Sequence, residues 1–311
     1  MPNSRYRFSQ TADSRVRAKL FGIGSAGCNI IEGSDLQTVA FSTSEADLAR
    51  STAERKFRMS PERLLGLSGP ESAVMKLLPS IAGHEVLDLF NNTDVAFLMA
   101  GLGGTTGSLG SKVFSLVSRA KNVPSISLVT CPFSAESIRR REVAEKFLAA
   151  LMKSSEMCLV FDNDKLSSLA PNLQLSRAFG VLNGIMNRPV RDICMTLGRT
   201  DLPAFAQAIG GSKYARFGLG LARGDERLDR VVAEAFSSPW FDYDLTEAAV
   251  AVAVYSAADP WDKEAEGILS RVEERIPSAR LLWGSYVDES LGDRIRLSLI
   301  LCRPVDARVL K

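Results

Sequence analysis

Histidine is nearly missing from this chain: among 311 residues there is one, His84. Ser-His-Asp catalysis and His-based metal sites therefore have almost nothing to build on. The five cysteines (Cys28, Cys131, Cys158, Cys194 and Cys302) are scattered and form no C-x-x-C pair. That favours reduced thiols in a cytoplasmic protein over disulfides or structural zinc. No apolar run approaches the roughly 18 residues of a membrane span, and AAVAVAVYSAA (248–258) has the length of a buried strand. A net charge of +2, with no basic run interleaved with aromatics, gives no electrostatic case for nucleic acid. The polar start, MPNSRYRFSQTADSRVR, lacks the apolar core of a signal peptide and reads as a short, mobile lead-in. Internal repeats and low-complexity tracts are also absent. What remains is an ordinary soluble composition, 46% hydrophobic and 24% charged, long enough for one large core or two modest ones.

Glycine, by contrast, is concentrated where it matters. Residues 94–110, DVAFLMAGLGGTTGSLG, run an apolar strand into a loop made almost wholly of glycine, threonine and serine. A loop so short of side chains lets backbone N–H groups approach a ligand, and a following helix adds its dipole at the same point, which suits phosphate. Residues 19–29, KLFGIGSAGCN, repeat the arrangement, with Gly22, Gly24 and Gly27 spaced as G-x-G-x-x-G. That spacing fits a dinucleotide fingerprint, which also requires an acid at the end of the next strand. The next strand, QTVAFSTS (37–44), ends in Ser42, Thr43 and Ser44, and the nearest acid is Glu45. Two phosphate loops on neighbouring parallel strands fit a nucleoside triphosphate better, with a dinucleotide-dependent oxidoreductase as the competing reading.

These loops, and four later segments in the same order, carry a family resemblance. GLGGTTGSLG resembles the tubulin/FtsZ signature GGGTGTG, and KLFGIGSAGCN resembles the FtsZ loop GVGGAGGN. CPFSAESIRRRE (131–142) resembles PF-x-FEG-x-RR, VFDNDKL (160–166) resembles IPNDKL, and RAFGVLN (177–183) resembles AFGAAN. LLWGSYVDESLGDRIRLSLIL (281–301) resembles IIWGAVIDEELGDEIRVTVIA of the second domain. The matches span about residues 18–302. The resemblance implies a Rossmann-like parallel α/β GTPase domain (1–171), a central connecting helix (172–198) and a smaller C-terminal α+β domain (199–311). The chain's own texture agrees: strands alternate with helices up to residue 161, and four strand-like runs follow Gly198. Pro189, inside the central helix, predicts a kink or break.

The resemblance also implies a site. GTP or GDP would be held by Gly24, Ser25, Ala26, Gly27, Cys28 and Asn29 of the first loop and Gly101, Gly103, Gly104, Thr105, Thr106 and Gly107 of the second. Glu136 and Arg140 would contact ribose and phosphates, Phe179 and Asn183 the guanine base, and Asn163 would also belong to the nucleotide site. Read from the residues alone, Phe179 fits core packing better. Mg²⁺ would be held mainly by phosphates and water, with no protein metal cage.

Departures from the family pattern bear on turnover. The loop after the central helix, NVDFADV in the family, presents two aspartates to the nucleotide of the next subunit in a head-to-tail filament. Here it is RTDLPAF (199–205), about four residues shorter overall: Asp201 matches the first aspartate, Ala204 replaces the second and Arg199 replaces the asparagine. Asp201 is the catalytic candidate, and Arg199 is either an arginine finger acting in trans or a solvated loop residue. Ser44 stands where NTDAQAL has an acid near the metal, and Thr105 and Leu109 stand where the phosphate signature has glycine. The chain ends at Lys311 without the long linker and terminal peptide through which division FtsZ proteins reach membrane adaptors, so no direct membrane anchor is expected. Two functions follow: a filament-forming GTPase whose partner is itself, or a poorly hydrolysing regulator or scaffold of filaments formed by a paralogous FtsZ-like protein.

Overall fold

The computed structural model describes residues 5–11, 14–166, 174–211 and 213–304. The expected helix start at Asn172 lies outside them. Residues 17–187 form one unit, and residues 188–304 with those up to Val16 form another. The opening residues thus differ from the expected lead-in to the first domain. Strand β1 (Tyr6–Arg7) pairs in parallel with Leu282 and Trp283, which gives its backbone groups partners in the second unit.

In the first unit, apolar runs become parallel strands because both of their faces are covered. The elements are β2 (Ala18–Ile23), α1 (Gly24–Ile30), β3 (Gln37–Ser42), α2 (Glu45–Arg50), β4 (Arg55–Arg58), α3 (Pro61–Leu65) and α4 (Glu71–Asp88). They continue with β5 (Val95–Gly101), α5 (Thr105–Ala120), β6 (Ser125–Cys131), α6 (Ile138–Ser154) and β7 (Met157–Asp162). The strand order is β4-β3-β2-β5-β6-β7, all parallel. The order reverses between β2 and β5, the crevice where ligands of doubly wound sheets sit. Phe21 stacks on Phe90 at 4.6 Å between centroids, and Phe114 packs against Phe21 and Phe41 at 5.6 and 5.0 Å, so an aromatic cluster fixes α5 beneath that crevice.

The helix α7 (Leu175–Thr196) passes through Pro189 without a break. Met186, Val190 and Ile193 are buried on either side of the proline, and this packing outweighs the one lost hydrogen bond. The second unit continues with α8 (Leu202–Ile209), β8 (Tyr214–Ala222), α9 (Arg227–Phe236), β9 (Val250–Ala257), α10 (Asp262–Arg275), β10 (Arg280–Val287) and β11 (Ile295–Arg303). Its sheet runs β1-β10-β9-β11-β8, with β11 antiparallel to both neighbours. Gly218 and Gly220 of β8 face α9, where a Cβ would lie 2.1 and 2.0 Å from the carbonyls of Ala235 and Val231. Among the described residues no helix is long and apolar enough to cross a membrane.

A buried ion pair ties the strand ends of this unit: Arg296 Nη2 donates to Asp288 Oδ2 at 2.6 Å, and Ser290 Oγ donates to Asp288 Oδ1 at 2.5 Å. Burial raises the Asp288 pKa, but the Ser290 bond and the Arg296 charge prevail and leave it at about 2. The folded pKa is depressed, so this stabilisation is complete above the unfolded value near 4 and fades as pH falls toward 2. Asp288→Ala should flatten the stability profile across that window and cost about 3 kcal/mol at neutral pH, because Arg296 would stay buried without its partner. Urea unfolding of both proteins between pH 2 and 7 measures this.

Candidate functional site

At the C-terminal ends of β2 and β5 two helices begin on the same crevice. Gly104 is the N-cap of α5, with ordinary extended backbone (φ −97°, ψ 157°), and the first intrahelical bond runs from Ser108 N to Gly104 O. The amides of Thr105, Thr106 and Gly107 therefore have no partner within the helix, and the helix dipole adds partial positive charge beside them. The first glycine segment is itself helical: Gly24–Ile30 forms α1, where a loop was expected. Both helices approach closely because they lack side chains at the contacts. A Cβ on Gly27 would lie 2.2 Å from Met99 O, and one on Gly107 would lie 2.1 Å from Gly101 O.

Between them opens a cavity of about 590 Å³, within the size range of small-molecule sites. It is lined by Gly24, Ser25, Ala26 and Asn29 of α1, and by Gly101, Gly104, Thr105, Thr106 and Gly107 around the start of α5. Glu136, Arg140, Asn163, Phe179 and Asn183 complete the wall. Three expected contacts are not on it. Gly27 is buried against β5, and Gly103 (φ +98°) sets the turn, its N–H donating to Ser108 Oγ at 2.9 Å. Cys28 is 2% exposed, its thiol directed at the carbonyls of Gly22 and Phe41, and burial pushes its pKa up to about 12. The replacements for the signature glycines are accommodated: Thr105 is exposed at the rim, and Leu109 is buried within α5.

The polar groups of the cavity are arranged by their neighbours. Arg140 pairs with Glu136 at 2.5 Å, and Glu136 Oε1 also accepts from Phe133 N at 2.9 Å. Phe179 is half-buried at the wall and edge-on to Phe133 at 6.1 Å, so it is not a core residue. Asn183 Nδ2 donates to Asn29 O at 3.4 Å, and Asn187 Nδ2 donates to Ile30 O at 2.6 Å, which fastens α7 to the end of α1. Asn163 starts a short turn after β7, and its buried Oδ1 has no hydrogen-bond partner. An unmatched acceptor on the same cavity as the free amides of a helix start fits a molecule with a donor-bearing base and a phosphate tail. Thr43, Asp47 and Phe133 also line the wall and were missed from the sequence, although Phe133 lies inside the CPFSAES motif and Thr43 and Asp47 inside the STSEADL segment compared with NTDAQAL.

Comparison with known proteins decides the family. The Tubulin/FtsZ family GTPase domain matches residues 17–171, and the FtsZ family C-terminal domain matches residues 213–303. Cell division protein FtsZ of Methanothermobacter thermautotrophicus is 32% identical over 305 residues, covering 93% of this chain and 80% of that protein. The chain belongs to the tubulin/FtsZ family. A Methanocaldococcus jannaschii FtsZ, solved as an empty dimer, superposes with a TM-score of 0.80 at 25% identity, covering 94% of this chain and 89% of that one. CetZ2 from Haloferax volcanii, in a GTPγS-bound protofilament, shares the fold (TM-score 0.70, 20% identity, 94% of each chain). Membership makes this a tubulin-like cytoskeletal protein of a GTPase family, and the family implies guanine-nucleotide binding.

For this FtsZ-family chain the loop after α7 departs from what was expected. Asp201, the catalytic candidate, is 0% exposed. Its carboxylate accepts from Tyr6 Oη, Ser9 N and Ser9 Oγ at 2.9 Å each, and from Gly198 N at 2.8 Å. Those four bonds give it a structural role, locking the described N-terminal residues to the loop, and none of its oxygens is presented outward. A single 3₁₀ turn (Arg199–Asp201) runs directly into α8, with Pro203 in the first turn, and Asp201 sits at that junction with its side chain enclosed. Arg199 and Thr200 remain exposed, beside Thr11 and Ser14. Among the described residues no cluster of three or more His, Cys, Asp or Glu is placed to hold a metal ion.

Gly104 separates the demands of ligand and fold. A Cβ there meets nothing within 4 Å, and serine is a favoured N-cap. Gly104→Ser should leave thermal stability within about 0.5 kcal/mol while reducing nucleotide affinity about tenfold or more, because its side chain occupies space beside the free amides. Paired melting curves and fluorescent-nucleotide titrations test both halves.

Proposed function

We propose that this protein binds GTP and GDP in the cavity between α1 and α5, assembles head to tail with copies of itself, and hydrolyses GTP slowly. The observation that carries the reading is the convergence of the free amides at residues 105–107 with the unmatched Asn163 acceptor on one cavity. Phosphate oxygens need donors, and guanine offers ring N–H and amino donors to an acceptor. The cavity also fits a magnesium-bound nucleotide: Thr43, Ser44, Asp47 and Thr106 supply oxygens along one side, and the ion would neutralise phosphate charge. Head-to-tail assembly is supported by the relatives, one solved as a dimer and one as a protofilament.

A second reading is favoured by a specific observation. With Asp201 buried and Ala204 in place of the other acid, the loop offers Arg199 and Thr200, beside Thr11 and Ser14, and no carboxylate, to a neighbouring subunit. A chain built this way holds nucleotide better than it consumes it, as suits a regulator or scaffold of a paralogue's filaments. Light scattering and phosphate release, measured together with and without GTP, separate the two readings. Ala204 is partly exposed on the first turn of α8. If assembly brings this loop to a neighbour's nucleotide, Ala204→Asp should raise phosphate release by about 10²-fold, the lower end of a positioned general base. An unchanged rate in a variant that still scatters light would remove the loop from hydrolysis.

A further inference from the structure

The strand β3 ends at Ser42 and is followed by Thr43 and Ser44, and this chain has no acid at position 44, where the family resemblance places one. Glu45, next in sequence, does not replace it. Its side chain is 81% exposed, faces Arg58 at 3.4 Å and is not on the cavity wall. Three residues further on, Asp47 is on the wall, with its side chain only 13% exposed.

The placement of Asp47 is not explained by helix capping. The sequence Ser44-x-x-Asp47 has the spacing of a capping box, in which the acid reaches back to the N-cap N–H. Here the Ser44 N–H is already taken by Ser42 Oγ at 3.1 Å, while Ser44 Oγ accepts from Asp47 N at 3.4 Å. The Asp47 carboxylate turns the other way, where Oδ2 accepts from the buried Ser42 hydroxyl at 2.9 Å and Oδ1 accepts from Arg50 Nη2 at 2.9 Å. A buried serine thus fixes one oxygen, and the remaining lone pairs of both oxygens stay available. Among the described residues the cation paired with this carboxylate is Arg50, which is 72% exposed and so weakly competitive. Beside it, Thr43 Oγ1 and Thr106 Oγ1 share a hydrogen bond of 2.7 Å, joining the strand end to the first turn of α5. Asp47 therefore lines the same cavity as this Thr43–Thr106 pair and the first turn of α5, where a polyphosphate and its cation would lie.

We infer that Asp47 has taken over the task of the missing acid at position 44: it is a positioning residue that holds, through water, the Mg²⁺ accompanying a bound nucleoside triphosphate. This rests on the nucleotide reading of the cavity. A carboxylate that acts on the hydration shell of the ion tightens binding of the Mg²⁺ complex and repels the metal-free polyphosphate. Its removal therefore has two effects of opposite sign.

The test titrates a fluorescent GTPγS derivative into the full chain, in excess EDTA and in millimolar Mg²⁺, and reads the ratio of the two affinities. Asp47→Asn keeps an acceptor for Ser42 and removes the charge. It should bind more tightly than the parent in EDTA and lose about tenfold of the gain conferred by Mg²⁺. Adding Ser44→Asp to that variant should restore the gain. Weakening by the same factor in both buffers would mark a merely structural residue and overturn the assignment, as would an undiminished Mg²⁺ gain. No binding by the parent chain in either buffer would overturn the nucleotide reading itself, and this assignment with it.

Discussion

Two contacts without side chains set the geometry of the nucleotide unit. The carbonyl of Met99 lies where a Cβ of Gly27 would be, and the carbonyl of Gly101 lies where a Cβ of Gly107 would be. Each places the first turn of a helix directly against the backbone of β5, so α1 and α5 begin on opposite sides of one crevice. Since the strand order reverses there, no neighbouring strand or crossover fills the space. Free amides and helix dipoles then meet in a partly enclosed pocket, where their attraction for anions is stronger than on an open surface. Because the donors belong to the backbone, side-chain changes around them are tolerated. Ser25 and Ala26 occupy α1, and Thr105 occupies the first position of α5, without disturbing the arrangement.

The second unit uses its acids differently. Asp192, on α7, is buried among Tyr286, Ser298 and Arg188. Tyr286 Oη donates to it at 2.7 Å, and Ser298 Oγ donates to its other oxygen. Burial raises its pKa, while Arg188 and these two hydroxyls oppose the shift. Asp201 is equally enclosed, by Tyr6, Ser9 and Gly198. Gln10 supports the same junction, donating to the carbonyls of Cys194 and Leu197 at the end of α7. Carboxylates committed to fixing a helix end and a strand are not available to orient water.

Much of the first unit was legible because its strands are continuous apolar runs and its long helices have clear boundaries. The start of α5 at Thr105 follows from glycine giving way to helix-compatible residues, and β5 from VAFLMA. The short elements were not legible. The α1 segment GSAGCNI has poor helix propensity and reads as a loop; tertiary contact with β5 makes it helical. The strand β4 (RKFR) and the helix α2 are too short to show a period. Asp201 reads as a loop acid because its partners Tyr6 and Ser9 lie more than 190 residues away in sequence. No local pattern announces such a contact. Asp47 escaped notice for the reverse reason, since an alignment fixed on Ser44 looks past a residue one helical turn further on.

These two acids together describe how the site has diverged. One was expected to act and is enclosed; the other was unremarked and faces the cavity. On the proposed reading, an acid at position 47 in place of one at position 44 would keep negative charge beside a bound polyphosphate, because the two positions lie one helical turn apart. Losing the outward carboxylate of the RTDLPAF loop has no such compensation within the loop, where the exposed polar groups are Arg199 and Thr200. A positive side chain presented to a polyphosphate stabilises the bound anion in its ground state as well as in the transition state, and uniform stabilisation raises affinity without raising turnover. On the proposed reading, a loop that presents Arg199 and no carboxylate would favour retention of the nucleotide over its hydrolysis.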